Sequence, residues 1–297
     1  MMGGCCGTTP AHIQALVEGC RDIPAMALTD KQRSVVSSYT HAVLLDERPK
    51  IIGERINPTG KSRFKQALRE NDLEYIYKEA LAQQDRGAHI LDVNVGLPEI
   101  DEVQMMRDVV TGLQGITDLP LQIDTSDPVA METAMCLYNG KPLLNSVNGK
   151  QESMDAVFPL AAKYGGMIVC LTLDENGIPD TAKGRIEIAE KIIAEAAKYG
   201  IGKKDLLIDT LTMTISTGQE NADITLEALH YVRHVLGVHT TLGVSNISFG
   251  LPQRERVNTA FFTIALSKGL SAGIINPGSE AMMAAYHAYC ALNGSDG

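Results

Sequence analysis

The chain has 297 residues, 44% of them hydrophobic and 21% charged, enough for a large core in either one α/β barrel or two smaller domains. A formal net charge of −10 argues against a nucleic-acid-binding surface, which needs clustered Lys and Arg, and the six scattered cysteines lack the spacing of a secreted disulfide framework. No apolar run reaches the ~18 residues of a membrane span and the N-terminus lacks the order of a signal peptide, so the expectation is a cytoplasmic protein that handles a small organic molecule, with no nucleic-acid or membrane partner.

Residues 3–10 read GGCCGTTP. Neighbouring cysteines rarely bond to each other; a thiolate pair at a strand end can instead hold a soft metal such as zinc, whose catalytic sites take about three protein ligands. Cys5 and Cys6 supply two, and a third is not obvious. The segment predicts the end of a strand, a Thr cap and a helix over AHIQALVEGC, and residues 23–48 read as a linker.

From Ile51 onward, short β-branched runs alternate with amphipathic stretches of helical length. The predicted strands are 49–56, 89–95, 120–125, 142–148, 167–173, 205–211, 240–247 and 272–277, with helices over 71–86, 151–163, 181–199 and 253–268 among those between them. In 181–199, Ile186, Ile188, Ile192, Ile193 and Ala196 fall roughly on one face, and Gly200 is a fitting stop. Eight βα units in about 250 residues are the size of a closed (β/α)8 TIM barrel; an open doubly wound sheet is the alternative. The barrel would occupy 49–297.

Barrel active sites lie at the C-terminal strand ends. Those ends carry Asp92 and Asn94, Asp124, Asn145 and Asn148, Asp209 and Asn246, and the exit of the first strand carries Glu54, Asn57, Thr59 and Gly60. Carboxylates and amides set among Ile, Leu and Val are costly to bury unless paired or bound to a ligand. The bland alternative is that each Asp or Asn caps the following helix. A ring rich in Asp and Asn and poor in Lys and Arg disfavours phosphate and suits a flat heterocycle with N–H donors, such as a pterin. Zinc hydrolysis is disfavoured by the absence of an HExxH motif, and His230, His234 and His239 read as helix surface and turn.

At GERINPTGK (53–61), LDVNVG (91–96), IDTS (123–126), LLNSVN (143–148), LLIDTL (206–211) and GVSNISFG (243–250), the chain resembles the pterin-binding methyltransferase family, most closely the folate domain of cobalamin-dependent methionine synthases. The six motifs stand in family order across nearly all of 50–290. The resemblance implies a barrel that binds 5-methyltetrahydrofolate and presents its N5-methyl for transfer to cob(I)alamin, carried by a separate cobalamin-binding domain or corrinoid protein. A free-standing methyltetrahydrofolate:corrinoid protein methyltransferase is the alternative. Dihydropteroate synthase, a more distant relative, would want a KxxxxRxH-like stretch where NPGSE (276–280) stands.

Carried over by motif, the resemblance implies that Asp209 accepts hydrogen bonds from the pterin N3–H and 2-amino group. Asp124 and Asn145 would complete the polar edge, Asp92 would join that network, and Asn246 would stand beside N5, leaving Asn246 and Asp92 as the catalytic candidates. Arg254 and Asn258 would lie near the ligand mouth, with Thr59, Gly60 and Lys61 in the loop after the first strand. GGCCGTTP is similar to the last strand of the homocysteine-binding barrel in that family, where paired Cys bind zinc with a third Cys from an earlier strand. Residues 1–22 are then expected to be a remnant of that barrel, with Cys5 and Cys6 as two ligands of an incomplete zinc site and the homocysteine-binding domain as a partner in the full-length enzyme.

Overall fold

A computed structural model describes residues 3–27, 29 and 31–295. The chain divides into two compact units, residues 1–32 and 33–297. The first unit carries helix α1 (Pro10–Cys20), which begins on a proline and buries none of its side chains. The strand end expected at GGCC is a turn instead: Thr8 N–H donates to Cys5 O at 3.0 Å, and Cys5 N–H to Thr8 Oγ1 at 2.9 Å. A strand needs a neighbour to satisfy its backbone, and this stretch pairs with none among the described residues.

Residues 33–48, expected as linker, belong to the second unit and form a hairpin, β1 (Val35–Ser37) and β2 (Ala42–Leu44), paired antiparallel. Val36, Val43 and Leu45 are buried against Ile52, Ile90, Leu143, Met167, Val169, Leu207 and Ala272. These partners lie in the N-terminal halves of the barrel strands, so the hairpin plugs that end of the barrel. Ser37 and Lys141 exchange backbone hydrogen bonds at 2.9 and 3.0 Å.

The predicted barrel follows. Its elements are β3 (Lys50–Ile56), α2 (Ser62–Glu70), α3 (Leu73–Asp85), β4 (Ile90–Val93), α4 (Glu102–Leu113), β5 (Leu121–Asp124), α5 (Pro128–Leu137), β6 (Leu143–Asn148) and α6 (Gln151–Tyr164). Then come β7 (Met167–Leu171), α7 (Ala182–Lys198), β8 (Leu206–Asp209), α8 (Asn221–Tyr231), β9 (His239–Gly243), α9 (Arg254–Lys268), β10 (Ala272–Ile275) and α10 (Glu280–Leu292). The closed order is β10-β3-β4-β5-β6-β7-β8-β9, every pairing parallel. Strands covered on both sides read as continuous apolar runs, as LLID in β8 does, with all four residues buried.

Helix α7 shows how the helices are set. Thr181 Oγ1 accepts from Gly184 N–H at 3.1 Å, and Ile188, Ala189, Ile192 and Ala196 are buried. Gly200 then ends the run at φ 75°, a left-handed conformation that L side chains disfavour. The helix caps lie outside the Asp and Asn ring. Side-chain caps come from Asp72, Asp101, Asp127, Thr181 and Ser279, and none of the strand-end ring serves as one. No described helix is long and apolar enough to cross a membrane.

Candidate functional site

The parallel register sets the strand-end groups side by side. Asp124 pairs across with Asn145, and Leu171 with Asp209, while Asp92 lies one step deeper opposite Gln122. Gln122 is fully buried and donates through Nε2 to Asp92 Oδ1 at 2.5 Å. Asn94 donates to Asp124 Oδ2 at 3.0 Å. Beside them Thr125 donates to Glu102. A cavity of about 530 Å³ opens here between α5 and α6, lined by Asp124, Thr125, Asn145, Ser146, Asn148 and Leu171 among others.

Burial governs the electrostatics. It lifts the carboxyl of Asp209 to about 7 and that of Asp124 to about 6. Asp92 is pushed well above the usual carboxylate range, by burial first and by the charge of Asp124 second, with the amides of Gln122 and Asn57 only partly offsetting them. Asp209 and Asp124 thus titrate closer to neutrality than a free carboxyl does, and Asp92 is moved in the same direction. A protonated carboxyl donates one hydrogen bond; an ionised one only accepts, and accepts in pairs.

Asp209 is further defined by its own loop. Its Oδ1 accepts from Leu211 N–H at 2.7 Å, and Leu211 has φ 61°, a conformation rare outside glycine. The guanidinium of Arg185, 1% exposed on α7, holds this turn: Nη1 donates to Thr210 O and Leu211 O, both at 2.7 Å, and to Thr225 Oγ1 at 3.0 Å, while Nε donates to Pro179 O at 3.0 Å. Arg185 therefore sets the exit of β8 and with it the carboxyl of Asp209. Sequence reading missed both Arg185 and Gln122.

Asn246, expected in a strand, lies in a turn of 3-10 helix over Val244–Ser248 that follows β9. Val244, Ile247 and Ser248 are buried beneath it and Asn246 is exposed, so its amide stands clear. Arg254 braces that turn: Nη2 donates to Ser245 O at 2.9 Å, Nε to Ser248 Oγ at 3.0 Å, and the guanidinium covers the Phe249 ring at 4.7 Å. Asn258 sits buried in α9 with no hydrogen-bond partner for Oδ1.

At the exit of β3, Thr59 and Gly60 are exposed, and Lys61 Nζ donates to Glu54 O at 2.9 Å and Asn57 O at 3.3 Å. Burial raises the carboxyl of Glu54, which Ser245 Oγ approaches at 3.4 Å. The exits of β3 and β9 therefore meet.

His239, read as turn, is instead the buried first residue of β9, bonded to Asp46 at 2.9 Å and Ser271 at 3.0 Å on the N-terminal face; His230 and His234 are exposed. Among the described residues no three His, Cys, Asp or Glu side chains stand close enough to share a metal. Cys5 and Cys6 are exposed, with sulfurs 3.6 Å apart. Two thiolates do not make the three-ligand donor set of a catalytic zinc site.

The structure is a closed barrel that gathers carboxyls and amides at its strand exits. The profile of the family described as "Pterin binding enzyme" matches residues 53–276, and the chain belongs to that family.

The chain is 34% identical over 292 residues to the methionine synthase of Mycobacterium tuberculosis, covering 93% of this chain and 24% of that protein. It is 33% identical over 253 residues to the methylcorrinoid:tetrahydrofolate methyltransferase of Eubacterium limosum, covering 83% of this chain and 92% of that protein. The chain thus spans about a quarter of the methionine synthases it matches. Among solved structures, the dihydropteroate synthase of Xanthomonas albilineans with 4-aminobenzoic acid superposes with a TM-score of 0.69 at 22% identity, covering 88% of this chain and 98% of that one, a likeness of fold.

Proposed function

We propose that this chain is a methyltransferase that binds 5-methyltetrahydrofolate and presents the N5-methyl group at the open mouth of the barrel to cob(I)alamin, the folate half-reaction of methionine synthesis. The observation that carries this reading is the trio of carboxyls at the exits of β4, β5 and β8, Asp92 and Asp209 buried and Asp124 half-buried, with burial raising all three. The names of the two bacterial relatives support it.

The pterin edge offers N3–H and a 2-amino group. Asp209 ionises on meeting them and accepts both, since Arg185 has already fixed its turn and Leu211 N–H occupies only part of one oxygen. Asp124 and Asn145 close the same edge, and Asp92 with Gln122 supports them from below.

The methyl leaves a tertiary amine, so N5 must gain hydrogen-bond or proton support as the bond breaks. Asn246 is assigned that contact; its amide stabilises the developing charge without being an acid. The reduced corrinoid, carried by another domain or protein, supplies the nucleophile. The barrel's own contribution is to position the methyl.

A free-standing enzyme serving a separate corrinoid protein is the second reading, favoured by the near-complete coverage of the Eubacterium relative. In a longer methionine synthase the partners would be the cobalamin-binding and homocysteine-binding domains, and either form would work in the cytoplasm. The test is anaerobic methyl transfer in trans: the full chain, 5-methyltetrahydrofolate and free cob(I)alamin, followed by the absorbance of methylcobalamin. The expected result is chain-dependent methylation. A folded chain that neither binds 5-methyltetrahydrofolate nor accelerates the reaction over buffer would overturn the reading.

A further inference from the structure

A second cavity, of about 510 Å³, opens at the N-terminal face of the barrel, remote from the carboxyl ring. It is lined by the β1–β2 hairpin from His41, by Glu47, Arg48 and Lys50 before and at the start of β3, by His89 before β4, and by Gly294 and Ser295 after α10. Nothing in the proposed methyl transfer uses it.

Lys50 is 5% exposed, yet its ammonium has no hydrogen-bond or ion-pair partner among the described residues. Lys is seldom so buried unless paired, and here the ammonium is not sealed in the core but opens on the cavity, where a ligand can meet it. Burial and the neighbouring Arg48 both work against its charge, with Glu47 the nearest opposing group.

His89 turns the same chemistry inward. Its Nδ1 accepts from Ile51 N–H at 3.0 Å, which leaves Nε2–H as a donor with no partner among the described residues. Burial first, then Lys50, Arg48, His287 and His41, lower its basicity to a value of about 4 and keep the ring neutral. The N–H donors that the end of α10 brings here are taken: Gly294 N–H bonds Ala291 O at 3.2 Å and Ser295 N–H bonds Cys290 O at 2.9 Å. The charged lining is two basic side chains, Lys50 and Arg48, against the one exposed carboxylate of Glu47.

We propose that this pocket binds a phosphate group, with Lys50 and Arg48 as charged donors and His89 as a neutral one. Phosphate suits it because a tetrahedral anion offers acceptors on every side to the donors of three different residues. The cavity is larger than inorganic phosphate needs, so the group is either free or carried on a small molecule, and the two sources are distinguished by experiment.

The test follows the histidine imidazole resonances of the full chain by NMR at pH 7.5 and constant ionic strength, titrating with inorganic phosphate, glycerol phosphate or malonate in place of chloride. Saturable shifts of His41 and His89, with His12, His230 and His234 unmoved, are expected for phosphate. Tighter binding of glycerol phosphate assigns a phosphomonoester; equal or weaker binding assigns the free ion. Lys50→Met, close in volume, should weaken binding roughly tenfold or more, as loss of a charge-assisted hydrogen bond does. Arg48→Gln, on the rim, is the second variant and should weaken it roughly threefold to tenfold. Shifts spread evenly over all histidines, no saturation, malonate binding without phosphate binding, or indifference to both substitutions would each overturn the proposal.

Discussion

Replacing Asp209 by Asn separates what burial costs this site from what the ligand returns. The carboxyl sits 7% exposed, and its burial raises it from 3.8 to about 7. The folded state therefore holds the proton more tightly than the unfolded chain, so stability is full below about pH 4, declines as pH rises towards 7 and is constant above that. Three pH units correspond to about 4 kcal/mol. The substituted amide would be neutral throughout. Urea unfolding should give near-equal stability at pH 4 and a variant more stable at pH 8 by as much as about 4 kcal/mol.

Binding should move the other way. An ionised Asp209 accepts two charge-assisted bonds from the pterin edge, each worth about 1.5–3 kcal/mol, and the amide turns one acceptor into an opposing donor. Calorimetry should show 5-methyltetrahydrofolate affinity reduced about 100-fold or more. At pH 6.5 the wild type should release up to about one proton on binding, and the variant fewer. Parallel stability profiles for the two proteins, or an affinity within threefold of wild type, would refute the reasoning.

Two further substitutions test the neighbouring parts. Asn246→Ala should leave 5-methyltetrahydrofolate affinity within about threefold and reduce single-turnover methyl transfer about 10- to 100-fold, the worth of one hydrogen bond to developing charge; a loss of affinity with an unchanged rate would place the amide elsewhere. Arg185→Leu leaves Thr210 O, Leu211 O and Pro179 O without their donor and should cost about 3–5 kcal/mol in urea unfolding while weakening folate binding through the displaced turn; a loss below about 1 kcal/mol would remove Arg185 from this role.

The barrel was legible because each strand is a buried apolar run and each helix repeats with its own period. LLID and LQID announced themselves by placing a carboxyl at the end of such a run. The β1–β2 hairpin was not legible: its strands are three residues each, too short for alternation to rise above the surrounding linker-like composition. Arg185 was hidden by its type, since an arginine in an amphipathic helix reads as solvent face. Its spacing was the signal: 185, 188, 189, 192 and 196 share one stripe, and all five are buried. His239 begins a strand buried from its first residue, and Val238 before it is buried as well, a run that outweighs the turn reading. A strand at GGCC would need a neighbour to pair with; among the described residues it has none, and the stretch closes on itself as a turn.

The two ends of this barrel are built in opposite chemical senses, and the way each meets burial explains why both can exist in one stable fold. At the C-terminal face, Asp92, Asp124 and Asp209 are acids, and burial raises all three, so a proton can lower the cost of burying each. A ligand with N–H donors favours their ionised form, whereas an anion arriving there would meet like charge, with Arg185, Lys61 and Arg254 already committed to backbone and hydroxyl acceptors. At the N-terminal face, Lys50 and Arg48 stand against the single lining carboxylate of Glu47, and burial works against the charge of Lys50. An added acceptor compensates for both, so this pocket calls for the kind of group that the carboxyl ring excludes.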